Sequence, residues 1–207
     1  MAQVSTHPTS PAVAPAPAFG AHIADPGPLG LGAFALTTFM LSSFNSGLAP
    51  KSAEVVVLGV ALFYGGIAQL LAGMWEFAKG NTFGALAFSS YGAFWMGFWY
   101  LVSHAKDLPT TGTDAAKGIG VFLLAWTIFT LYMTVVASRL SGILFALFAI
   151  LLVTFAFLTV GELGSSSSMT KIGGYLGLVT AFVAWYASFA GVLNGTAKRI
   201  VMPTWPR

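Results

Sequence analysis

Cysteine is missing from all 207 residues, which excludes disulfides, thiolate nucleophiles and cysteine metal ligands. Charge is scarce: nine Lys and Arg and six Asp and Glu make 7% of the chain, against 57% hydrophobic residues. A soluble domain carries about 25% charged residues, so this composition leaves too little to clothe a water-facing surface. The formal charge of +3 is scattered, and no Lys/Arg run exists that would grip nucleic acid. The apolar segments hold no His cluster, carboxylate pair or Ser/His/Asp set, so neither acid–base nor metal catalysis has its residues. The expectation is therefore no enzyme, no metal and no cofactor. At this length there is also no room for a separate soluble module.

What is present is a series of long stretches without Asp, Glu, Lys or Arg: 26–50, 55–75, 80–103, 118–138, 140–161 and 172–197. They run to 25, 21, 24, 21, 22 and 26 residues. About 20 apolar residues carry a helix across the hydrocarbon core. A helix also satisfies its backbone polar groups internally, as lipid demands. The expected fold is all-α, with six transmembrane helices bundled in the lipid bilayer. Residues 1–28, with six of the ten prolines and no Lys or Arg, read as a flexible Pro/Ala-rich tail ending in a helix-start motif. They lack the basic start and continuous apolar core of a signal peptide. Residues 29–197 form the membrane domain, and 198–207 a short basic tail.

Six spans put both termini on one side. Lys79, Arg139, Lys198, Arg199 and Arg207 share that side, facing Lys51, Lys106, Lys117 and Lys171, a slight positive-inside bias. The longest connection, 104–117, carries Pro109 and a Thr/Gly/Asp cluster. Connections this short cannot house a soluble site, so function lies within the helices. Small residues recur four apart, as at Ala61 and Gly65, Ala68 and Ala72, Gly173 and Gly177, and Ala187 and Gly191. That spacing lets helices approach closely, within or between protomers.

Polar side chains at membrane depth are costly unless paired, and so are informative. They are Thr37, Thr38 and Asn45, then Tyr64 and Gln69, then Ser89, Ser90 and Tyr91, and later Thr154, Thr159, Tyr186, Ser188 and Asn194. Interhelical bonding accounts for many of these. Asn45 and Gln69 stand out because a carboxamide has four hydrogen-bonding sites to satisfy. Glu76 and Glu162 fall at helix ends, where an interfacial place is the default; Glu76 is retained as a gating candidate. Asp25-Pro26-Gly27-Pro28-Leu29-Gly30-Leu31 opens the first helix, with proline presetting φ and Asp25 able to cap free N–H groups. The helix start can also attract an anion.

These residues resemble the acetate uptake transporter family, the acetate/succinate permeases of bacteria, archaea and fungi. The family's Asn-Pro-Ala-Pro-Leu-Gly-Leu is similar to residues 25–31. Phe63-Tyr64-Gly65-Gly66-Ile67-Ala68-Gln69, Gly80-Asn81-Thr82-Phe83-Gly84 and Ser90-Tyr91-Gly92-Ala93-Phe94-Trp95 follow in order. Several blocks in one order are far more specific than a lone motif. Two positions depart: Asp25 stands for the usual Asn, and Gly27 for Ala. If Asp25 faces the path, its charge makes uptake weaker or more dependent on the protonated acid.

The resemblance implies a homohexamer in the plasma (inner) membrane, each protomer with its own path for acetate and possibly succinate. It implies a hydrophobic constriction at Phe34, Tyr91 and Leu151, with Thr37, Thr38, Asn45, Tyr64, Gln69 and Ser90 as polar residues along the path. A short dry ring limits the dehydrated length an anion must cross, and such rings gate by dewetting. The competing readings are a urea or small-amide channel of similar six-helix hexameric build, a membrane-embedded enzyme, and a non-transporting structural or sensory hexamer.

Overall fold

A computed structural model describes residues 23–105 and 113–207. Most of the expected tail, residues 1–22, and most of the longest connection, 106–112, lie outside it. The described residues are helical apart from turns and one isolated antiparallel bridge, Ser141 with Pro206. We number the long helices α1 (Gly27–Ser46), α2 (Lys51–Lys79), α3 (Thr82–Ser103), α4 (Thr113–Ala137), α5 (Gly142–Leu163) and α6 (Ser167–Ala197).

All but α3 are long and apolar enough to cross a membrane, which makes this a multi-pass membrane protein. Six spans were expected, and five meet that measure. Helix α3 has the length, 22 residues and no charge, but Gly, Ser, Trp and Tyr dilute its apolar content. Several of those residues face inward: Gly84, Tyr91, Gly92 and Trp95 are buried, whereas Tyr100 is exposed. Both α4 and α6 begin ahead of the uncharged stretches, which start at 118 and 172. Their first turns take in Asp114, Lys117 and Lys171, charges that a helix end at the membrane surface tolerates.

The helices alternate in direction, so one end of the bundle gathers the start of α1, the end of α2 and the start of α3. The end of α4, the start of α5 and the end of α6 join them there. Helix α2 is not uniform. It starts as a 3₁₀ turn over Lys51–Val56, and Phe63–Ala68 winds as a π-helix before α-geometry resumes at Gln69. Gly80, at φ +75°, ends α2 in the left-handed region. Asn81 then caps α3, its Oδ1 accepting from Gly84 N at 3.1 Å.

Two kinds of interface hold the bundle. Where helices meet closely, glycine is the contact residue. A Cβ on Gly92 of α3 would stand 2.8 Å from Leu70 N and 2.9 Å from Gly66 O of the π segment. A Cβ on Gly65 would meet Thr37 of α1, and one on Gly173 would meet Leu158 of α5. The spacing-four small residues thus close contacts inside the protomer. Where helices stand apart, aromatic rings fill the space. Phe94 of α3 meets Trp126 of α4 and Phe155 of α5 edge-on, at centroid distances of 5.3 and 5.5 Å.

The expected basic tail is folded back. Gly142 N donates to Trp205 O at 2.8 Å, and Arg207 N to Leu140 O at 3.0 Å. Asn194 Oδ1 accepts from the N–H groups of Val201 and Met202, and Tyr186 Oη donates to Pro203 O. These bonds account for two polar residues of α6 without any role in transport.

The Gly92 contact is tight against backbone on both sides, so Gly92→Ala overpacks it. We expect a loss of about 1–3 kcal/mol of stability, read as a lower unfolding temperature in mild detergent. An unchanged temperature would contradict the close approach of α2 and α3.

Candidate functional site

A cavity of about 170 Å³ opens at the end of the bundle that holds Gly80. Its mouth is formed by Asp25, Glu76 and Asn81; Phe83 and Phe88 of α3 and Leu144, Leu147 and Phe148 of α5 form the walls. Deeper in stand Gln69, Phe34, Tyr91 and Leu151. The three ring residues come from α1, α3 and α5 and are 6%, 2% and 4% exposed. The Phe34 and Tyr91 ring centroids are 5.7 Å apart.

Tyr91 is fixed in place. Its ring meets Phe129 edge-on at 5.3 Å, and its Oη shares a 2.8 Å hydrogen bond with Thr130 Oγ1 of α4. Thr130 Oγ1 in turn donates to Trp126 O at 2.7 Å, so its only proton is committed. Tyr91 must therefore be the donor to Thr130. The Tyr91 proton is thus already used, and the ring is what Tyr91 gives the cavity.

Gln69 is the opposite case. It is fully buried, lines the cavity, and neither Oε1 nor Nε2 has a protein partner. Leaving a buried polar group unpaired costs about 1–3 kcal/mol, so the arrangement calls for an explanation. A ligand with both acceptor and donor oxygens supplies one.

Glu76, near the end of α2, is 2% exposed. Its Oε2 accepts from Asn81 Nδ2 at 2.9 Å, so the α3 cap also holds the carboxylate. Asp25 Oδ1 accepts from Gly27 N at 3.2 Å and lies 3.5 Å from Lys79 Nζ. Pro26, rather than Asp25, occupies the position at the helix start. Pro28 O accepts from Ser188 Oγ at 2.6 Å, and a Cβ on Gly30 would enter the Phe88 ring at 2.6 Å. The helix-start motif thus docks α1 on α6 and α3.

The other polar candidates are dispersed. Thr37 donates to Ala33 O at 2.9 Å and faces Gly65; Thr38 is buried with its hydroxyl unpaired. Asn45 lies at the far end of α1, about 16 Å along the helix from Phe34, and accepts from Lys51 Nζ at 3.1 Å. Tyr64 and Ser90 are half-buried, and neither lines the cavity. Sequence reasoning missed Asn81, Thr130 and Phe148 as site residues. Only Asn81 carried a local signal, because it follows a glycine and precedes a charge-free helix.

A model of the GPR1/FUN34/yaaH family matches residues 8–206. Over 203 residues the chain is 43% identical to Accumulation of dyads protein 2 of Saccharomyces cerevisiae, covering 95% of this chain and 70% of that one. Acetate permease A of Emericella nidulans is 40% identical, across 87% of this chain and 65% of the permease. The succinate-acetate/proton symporter SatP of Escherichia coli K12 is 37% identical, across 87% and 95%. Among solved structures, the bacterial acetate channel SatP superposes with a TM-score of 0.81 at 36% identity, across 88% of this chain and 99% of the channel.

Gln69 yields a prediction with opposite signs. Gln69→Met keeps the volume and removes the unpaired carboxamide, so it should raise the unfolding temperature while lowering substrate affinity about tenfold, equivalent to ~1.4 kcal/mol. Lower stability together with unchanged uptake would show that Gln69 is only a packing residue.

Proposed function

The chain belongs to the GPR1/FUN34/yaaH family, and we propose that it carries acetate, and succinate with it, across the plasma (inner) membrane rather than catalysing a reaction. In this reading α3 spans the bilayer with the other five helices, and six protomers assemble, each with its own path. Residues 29–197 are the transporting domain. Substrate enters the cavity between Asp25, Glu76 and Asn81, meets Gln69, and leaves through the ring of Phe34, Tyr91 and Leu151.

The observation that carries this reading is the unpaired Gln69 carboxamide beside a dry aromatic ring. A carboxylic acid has one O–H donor and one carbonyl acceptor. A side-chain amide faces it with Oε1 and Nε2, so a single acid molecule pairs both. An ionised carboxylate can use only Nε2 and leaves Oε1 facing a negative oxygen. The ring beyond offers no free hydrogen-bond donor, since the Tyr91 proton is held by Thr130, and a bare carboxylate entering it loses several kcal/mol of hydration. The neutral acid avoids most of that cost, so passage carries a proton with the substrate.

Labelled acetate uptake into proteoliposomes tests this directly. An inwardly directed proton gradient should accelerate uptake, whereas equal rates with and without it would favour passage of the anion. Tyr91→Ala and Phe34→Ala should each widen the ring and raise uptake of a bulkier dicarboxylate relative to acetate at matched protein levels. Unchanged selectivity in both would remove the ring from the path. In lipid nanodiscs the particle mass should be that of six chains; a stable monomer or dimer would contradict the assembly.

A further inference from the structure

The mouth of the cavity gathers two carboxyl groups and one ammonium group. Asp25 and Glu76 stand on either side of Gly27: a Cβ there would lie 3.3 Å from Asp25 Oδ1 and 3.5 Å from Glu76 Oε1. Among the described residues Lys79 Nζ, 3.5 Å from Asp25 Oδ1, is the one cation paired there, and Asn81 gives Glu76 a neutral donor. The walls add Phe83, Phe88, Leu144, Leu147 and Phe148, none charged, and no Lys or Arg lines the cavity. With both carboxyls ionised, two against one ammonium make the mouth negative before an apolar passage, where walls of low dielectric constant strengthen the field. The same cavity leads to Gln69, fully buried and unpaired, so the charged mouth guards a ligand position.

We propose that Asp25, Glu76 and Lys79 form an electrostatic filter that admits a small carboxylic acid together with its proton and turns back the ionised carboxylate. The inference rests on the transport reading above. No proton relay is needed, because the proton travels on the substrate carboxyl and is released with it on the far side. Lys79 has the opposite sign to Asp25, so the two residues pull the filter in opposite directions even though they form one ion pair.

That opposition separates a filter from a structural latch. Initial acetate uptake is measured in proteoliposomes at fixed total acetate, from well below to well above the pKa of acetic acid. The wild type, Asp25→Asn and Lys79→Gln are compared at matched protein content. Wild-type uptake should fall about tenfold per pH unit on the alkaline side, following the neutral acid. Asp25→Asn should keep about threefold more uptake than wild type at neutral pH, and Lys79→Gln should retain less, both differences shrinking at high salt. A latch would make both variants change in the same direction. Changes of one sign, or superimposable pH profiles, would overturn the filter while leaving transport standing. Absence of uptake in the wild type at every pH would overturn the transport reading and the filter with it.

Discussion

A polar group at membrane depth has no water to turn to, and this requirement orders the interior of the protein. Most buried threonines, Thr38 excepted, meet it within the helices. Thr154 donates to Ile150 O and Thr180 to Leu176 O, and their hydroxyls then face each other at 3.2 Å between α5 and α6. Between α4 and α5, Thr127 donates to Leu123 O and accepts from Thr159 at 3.0 Å. Between α3 and α4, Thr130 donates to Trp126 O and accepts from Tyr91 at 2.8 Å. Against this background of satisfied hydroxyls, an unpaired carboxamide such as Gln69 is conspicuous. A few other buried atoms also lack partners, among them Ser89 Oγ and Trp95 Nε1, but neither residue lines the cavity.

Glycine and aromatic residues divide the remaining work. Glycines bring α1 against the π segment of α2 and α3 against the same segment from another side. That anchoring sets where Gln69 emerges, since it is the first residue after the π-helix. Aromatic rings fill the space between α3, α4 and α5 and pack Tyr91 from behind. The cavity lies on the other face of α3, between it and α1, α2 and α5.

Much of this was legible in the sequence, for particular reasons. The charge-free stretches located the helices because lipid penalises charge so heavily. They misplaced the starts of α4 and α6, where Asp114 and Lys171 sit in helical turns near the surface. Phe34, Tyr91 and Leu151 were marked by motif resemblance, and no periodicity in those nearly uniformly apolar helices would have picked them out. The bond from Tyr91 to Thr130 and the Phe148 wall were not legible, because they join residues 39 and 57 positions apart across a bundle whose packing angles no local pattern encodes. The burial of Glu76 escaped for a related reason. A carboxylate near a helix end looks interfacial until Asn81 is seen folding over it. The C-terminal residues read only as a short basic tail, because tertiary contact alone ties Trp205 and Arg207 to the start of α5.

Absence of cysteine makes the central claim, a one-sided cavity closed by an aromatic ring, open to direct labelling. Ala87 lines the cavity beside the ring, and Ala87→Cys would place the only thiol of the chain there. In sided proteoliposomes, a small charged membrane-impermeant thiol reagent should modify that cysteine only from the face that carries Lys79, and acetate should slow the reaction. Adding Tyr91→Ala should make the same cysteine reactive from both faces. Reaction from both faces with Tyr91 intact, or a cysteine that acetate does not protect, would contradict the account.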